Sequence, residues 1–204
     1  MSGAAIAAVV ALGFGVMLVR RRSLATLLVA VQGLLLGVGA LTLAGDSSGL
    51  LVAGVILLVR AVALPALLTL ARRRTPEPAL VAPATTVVVR LLVATVVALV
   101  AVASMPSLGL GDRAAEHGAV ALLSLGIAIV AMRRPALLQV LGILVAENGV
   151  YLLAISVPGG LPFVIELGVL FDLALVVTVA TAFTQKIHGE VGTGDTDLLR
   201  GLRD

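Results

Sequence analysis

A chain of 204 residues that is 60% hydrophobic and only 12% charged, with a mean hydropathy of +1.20, carries more apolar side chain than a soluble domain of this size can hide. Cysteine is absent, which excludes disulfides, thiol catalysis and thiolate metal sites. The net charge of +3 and the pI near 10.5 would suit a nucleic-acid partner, but the arginines stand in short clusters between hydrophobic runs, a pattern of membrane topology.

The runs are close to the length that crosses a bilayer as helix, and no stretch shows the alternation of a membrane β-barrel. The first, 3–19, has no basic residue before it and ends on Arg20–Arg22, which predicts an uncleaved helix, not a signal peptide. The second, 24–43, carries Gln32 in mid-run and ends at "GDSSG". The third, 50–71, carries Arg60 in mid-run. It leads into "RRRTPEPALVAPA", whose three prolines predict a non-helical loop. The fourth, 86–104, places Arg90 about one turn inside, close enough to snorkel to the surface, and is followed by "MPSLGLGDRAAEHG". The fifth, 115–132, ends on Arg133 and Arg134. The sixth, 135–157, holds Glu147 and Asn148, and "VPGG" follows it. The seventh, 162–184, holds Glu166 and Asp172 and ends at "QKIHGE".

The fold class is therefore all-α, a polytopic membrane bundle of about seven helices. Arg20–Arg22, Arg72–Arg74, Arg133, Arg134, Lys186, Arg200 and Arg203 fall on one side and Arg113 alone on the other. The positive-inside rule then puts the N-terminus outside and the C-terminus in the cytoplasm. Three segments follow: residues 1–84 with three helices, 85–189 with four, and a cytoplasmic tail, 190–204.

The polar residues inside the runs are the candidate site. A carboxylate at mid-bilayer costs about 2.5–3.5 kcal/mol on insertion scales. Glu147 is about twelve residues into its helix and Asp172 about ten into the antiparallel neighbour, so both lie near the midplane; Glu166 is nearer the outer edge. Glu166 and Asp172 are about 240° apart round their helix and face different neighbours. Asn148 and Tyr151 share a face beside Glu147 and can hydrogen-bond a carboxylate or a water. Arg60 could neutralise Glu147 or Asp172 and lock helices together. Three acids against one deep arginine leave a surplus, however. An uncompensated buried carboxylate is pushed towards its neutral form and can load and release a proton. Such a surplus fits proton handling, attachment to a partner subunit, or both.

Other signals carry less. "GLGD" at 109–112 matches a GxGD protease motif but sits in an external loop without a partner aspartate. "GTGDTD" at 192–197 lacks EF-hand spacing and a Walker lysine. His117 and His188 are isolated, so no metal site is expected, and no autonomous catalytic site or cofactor motif is evident.

"QVLGILVAENGVYLLAI", "LPFVIELGVLFDLALVVTVATAF" and "DTDLLRGL" resemble segments of the hydrogenase-4 component E family. Its Q-x-L-G-F/I-L-x-x-E-N-G-x-Y segment is matched by Gln139, Glu147, Asn148, Gly149 and Tyr151. Its P-x-x-V-E-L-G-V-L-x-D segment is matched by Glu166, Gly168 and Asp172, and its tail by Asp195, Thr196, Asp197, Leu198 and Leu199. The resemblance covers Gln139 to the end; the first four helices match in hydropathy and length. The last three helices of that family are similar to the K subunit of NADH-quinone oxidoreductase and the C subunit of multisubunit cation/proton antiporters. The resemblance implies a non-catalytic subunit in the plasma membrane. Its partners would be antiporter-like membrane subunits, a hydrogenase membrane anchor and a nickel-iron hydrogenase module, with no cofactor in this chain and no nucleic acid. It places Glu147 on a charge path, with Glu166 and Asp172 competing for the second position. An antiporter subunit without redox chemistry and a purely structural membrane-arm subunit are the alternatives.

Overall fold

The computed structural model describes residues 1–73, 86–106, 108–109, 111–133, 135–157, 160–161, 163–168, 170–172 and 174. The proline-rich stretch from 74 to 85, most of the seventh run and the tail with "GTGDTD" and His188 lie outside the described residues. Every element among those described is a helix: α1 (Gly3–Leu18), α2 (Arg22–Ala44), α3 (Ser48–Arg73), α4 (Val87–Ser104), α5 (Arg113–Met132) and α6 (Ala136–Ser156). Beyond them, 163–168 is helical. The chain divides into two compact units, Met1–Glu166 and Leu167–Asp204, and the six helices belong to the first.

Five of these helices are long and apolar enough to cross a membrane. α1, at 16 residues, spans about 24 Å and falls short of a hydrocarbon core of about 30 Å. Large apolar side chains face outward all along the bundle, among them Val59, Val62, Val88, Leu92, Leu99 and Val100. Lipid is the solvent such a surface fits. α4 is the extreme case: its buried residues are Arg90, Ala94 and Ala98, a single stripe at four-residue spacing.

Local chemistry sets several helix ends. Ser2 caps α1 by accepting from the Ala5 N–H, and Thr86 caps α4 by accepting from Val89. In "GLGD", Gly109 and Gly111 take positive φ (72° and 82°), and the Asp112 carboxylate accepts from the N–H groups of Ala114 and Ala115. Asp112 of that motif is the N-cap of α5.

Glycine lets two helix pairs approach backbone to backbone. On α2 the spacing Gly33-Leu-Leu-Leu-Gly37 presents a smooth face to Ala61 and Leu58 of α3, and Gly54 of α3 returns the contact against Leu41. Between α5 and α6, a Cβ on Gly126 would stand 2.5 Å from the Ala146 nitrogen and the Gly142 carbonyl, and one on Gly149 would stand 2.6 Å from the Ala119 carbonyl. α2 also packs on α1 and α6, and α1 on α4 and α5. Helices from both sides of the proline-rich stretch thus share one core, centred on Leu36, Leu57, Leu122, Leu125, Leu141 and Leu144.

Arg90 departs from the snorkelling expectation. It is 1% exposed and turns inward, donating from Nη1 to the Met17 carbonyl at 3.4 Å. The last carbonyls of α1 lack intrahelical partners and form the negative end of its dipole, so they offer a closer acceptor than water.

Replacing Gly126 by leucine should force α5 and α6 apart. We expect about 1–3 kcal/mol of destabilisation from overpacking. Thermal unfolding in mild detergent, followed by circular dichroism, checks this; an unchanged midpoint would contradict the backbone contact.

Candidate functional site

Four helices bring polar groups to one place at mid-bundle. Val9, Gln32, Arg60 and Glu147 each lie near the middle of α1, α2, α3 and α6. Arg60 donates from Nη2 to Glu147 Oε2 at 2.5 Å and from Nη1 to Asn148 Oδ1 at 3.0 Å. Asn148 Nδ2 donates to Gln32 Oε1 at 2.8 Å, and Gln32 Nε2 donates to the Val9 carbonyl at 2.8 Å. The Arg60 guanidinium also sits over the Tyr151 ring, 4.7 Å from its centroid, a cation–π distance.

The direction of every bond in this chain is forced. A guanidinium only donates, so Asn148 must turn its oxygen to Arg60 and its NH2 away. Gln32 then presents its oxygen to Asn148 and its NH2 to Val9, whose carbonyl only accepts. The two amides cannot flip without putting donor against donor.

Local packing explains how Arg60 reaches α6. α2 lies against both α3 and α6. Gly33, next to Gln32, lets Ala61 of α3 come within 3.0 Å of where a Cβ would be, which brings Arg60 across the α2 surface. Gly13 does the same for Gln32 on the α1 side: a Cβ there would meet Gln32 Nε2 at 3.4 Å. Pro65, inside α3, cannot donate to the Ala61 carbonyl, so the helix lacks one backbone bond just beyond Arg60.

The site residues read from sequence separate in three ways. Glu147, Asn148, Tyr151 and Arg60 come together. Glu147 is ion-paired with Arg60, the arrangement the structural reading of Arg60 anticipates. Gln139 does not join them: it is half-buried near the start of α6, about 12 Å along the axis from Glu147. Glu166 is exposed, and Asp172 belongs to the second unit. Gln32 is the member whose role the sequence left open; a lone amide at the same depth as Arg60 and Glu147 was the available signal.

Chemically, one member of the set carries a carboxyl group able to take up a proton. Arginine stays protonated, and amides neither take up nor release a proton near neutral pH. The chain through Gln32 and Asn148 is therefore a positioning scaffold and not a proton wire. Glu147 carries that carboxyl, and its side chain is more exposed than that of Arg60, 13% against 7%. Protonating it would remove the Arg60 counter-charge, so the protonation state of Glu147 and the position of Arg60 are coupled. No group of His, Asp or Glu among the described residues is arranged to hold a metal ion.

No protein-family model matches this chain, and no solved structure does. An uncharacterized protein of Mycobacterium tuberculosis is similar, 31% identical over 90 residues, which is 44% of this chain. The chain spans about two fifths of that relative's length, 41%.

Replacing Gln32 by leucine should leave Asn148 without its acceptor and destabilise the protein by about 1 kcal/mol, the scale of hydrogen bonds between membrane helices. Asn148→Leu should cost more, because it also strips a partner from Arg60. A double-mutant cycle on detergent unfolding should show the two effects to be non-additive; simple additivity would mean the chain is not a unit.

Proposed function

We propose that this chain is a non-catalytic subunit of a hydrogenase-4-like membrane complex, in which Glu147 takes part in proton translocation and Arg60 sets its charge state. In this reading the chain crosses the plasma membrane seven times, with its N-terminus outside. Its partners are antiporter-like subunits, a membrane anchor and a nickel-iron hydrogenase module. The observation that carries the reading is a carboxylate at mid-bundle paired with Arg60. Its ionisation is linked to a side chain whose own charge does not change. Redox work in a neighbouring subunit that shifts Arg60 would lower the cost of protonating Glu147; return of Arg60 would expel the proton. The resemblance of the chain from Gln139 onward to the hydrogenase-4 component E family supplies the class of complex.

A second reading, a purely structural clamp, is favoured by the completeness of the pairing: Arg60 donates to a carboxylate and an amide and covers a ring. The two readings part on a paired replacement. Removing both charges of a buried pair is often neutral for stability, whereas removing one is strongly destabilising. The variant Arg60→Met with Glu147→Leu should therefore fold. Proton translocation by membrane vesicles carrying the assembled complex should be abolished on the relay reading and retained on the clamp reading. Glu147→Gln alone should also lose pumping while the complex still assembles; full pumping by that variant would end the relay role.

A further inference from the structure

At one end of the bundle, away from the mid-depth network, several arginines gather. Arg90 and Arg133 both donate to backbone carbonyls at the end of α1: Arg90 Nη1 to Met17 and Arg133 Nη2 to Val19. These two bonds put the start of α4, the end of α5 and the end of α1 at one place. Arg22, the first residue of α2, is buried at the same end of the bundle, and Arg20 stands exposed in the three-residue link before it. Arg90 is 1% exposed and Arg133 5%. No carboxylate is paired with either among the described residues.

The hydrogen-bonding inventory does not close. Arg90 Nε and Nη2 and Arg133 Nε are buried and have no hydrogen-bond partner. In a guanidinium, Nε–H and Nη2–H point along the same edge, the edge that grips a phosphate or carboxylate through two parallel bonds. Arg90 thus spends Nη1 on Met17 and keeps that two-donor edge unsatisfied. A buried cation without an anion is costly, and an unmet buried donor adds about 1–3 kcal/mol. Burial pushes the Arg133 pKa down to about 10, with repulsion from Arg90 and Arg20 adding to it. It is still protonated at neutral pH. The carbonyls and dipole of α1 offset part of this charge, but a carbonyl dipole is not a counter-ion.

We propose that Arg20, Arg90 and Arg133 form a binding site for the phosphate of an anionic phospholipid headgroup. The location fits. Arg133 immediately follows the last residue of α5, and Arg90 is one turn from the Thr86 cap of α4, so the cluster lies where membrane-crossing helices meet the headgroup layer. Basic pockets between helices at this level are the kind of site that holds lipid phosphates, and the arginine-rich side is the one the positive-inside rule assigns to the anionic cytoplasmic leaflet. Each phosphate oxygen accepts more than one donor, so one group can answer the Arg90 edge and Arg133 Nε together. The edge is covered in this arrangement, so the headgroup seats when the Arg90 side chain turns toward exposed Arg20. This inference needs only that the chain lies in a membrane; it is independent of the proton-handling reading.

The test uses the purified full-length chain in a neutral mild detergent. Unfolding is followed by circular dichroism, because the chain has no Trp and a single Tyr. Phosphatidylglycerol, phosphatidylcholine and inorganic phosphate are added separately, and native mass spectrometry counts retained lipid. Phosphatidylglycerol should raise the midpoint by several degrees and remain bound, while phosphatidylcholine and inorganic phosphate should not. Arg133→Gln should abolish the shift. Arg20→Gln, which alters an exposed side chain and leaves the fold intact, should at least halve it, and Arg90→Lys, which keeps charge but loses the two-donor edge, should weaken it. Equal stabilisation by phosphatidylcholine, or a full shift in Arg20→Gln and Arg90→Lys, would overturn the site. A full shift with inorganic phosphate alone would overturn the lipid as its source.

Discussion

A charged pair in the middle of an apolar bundle is the constraint on which the rest of this structure depends. An isolated Arg60 or Glu147 at that depth would be heavily penalised, and the meeting of guanidinium and carboxylate at hydrogen-bonding distance offsets part of that penalty. Meeting requires a close approach of α3 and α2, since Arg60 must cross α2 to reach α6. The glycine faces at Gly33, Gly37 and Gly54 supply it. The pair also requires a second acceptor for the guanidinium, and Asn148 supplies that. Asn148 in turn needs an acceptor of its own, which brings in Gln32 and finally a backbone carbonyl of α1. One ion pair therefore dictates the placement of polar groups on four helices.

The bundle answers its charges in two ways. At mid-depth, a cation meets a carboxylate and every amide has its place in a directed chain. At the end of α1, Arg90 and Arg133 donate to carbonyls, and some of their donors have no partner among the described residues. The second is the one for which we propose an anion from a lipid headgroup. The difference follows from depth: far from water no external anion is at hand, whereas at the headgroup layer phosphates are abundant.

Several features of this arrangement were legible from residues alone. Run lengths and hydropathy identify a helical membrane bundle. Counting from helix ends puts Arg60 and Glu147 at similar depth, and helical spacing puts Asn148 and Tyr151 beside Glu147. Other features were not. The end of α1 differs by one residue from the run read in the sequence, because Val19 turns extended before Arg20. Arg90 reads as a snorkelling residue because spacing along one helix cannot reveal that the end of another helix offers carbonyls nearby. Gln32 reads as a minor polar intrusion because its value lies entirely in what stands opposite. Gln139 and Glu166 fit the same pattern of sequence resemblance as Glu147, yet one lies more than two turns away and the other is exposed.

The sequence by itself determined that the chain is helical and membrane-bound, and at what depth each polar residue lies. Those properties depend on composition and on a fixed rise per residue, both of which are local. Only the tertiary structure decided which polar residues meet: that Arg60 pairs with Glu147, that Gln32 closes the chain on α1, and that Arg90 and Arg133 converge on one helix end. Azimuth and helix-to-helix proximity settle these choices, and they arise from glycine contacts between segments distant in the chain, which periodicity along any single helix does not encode.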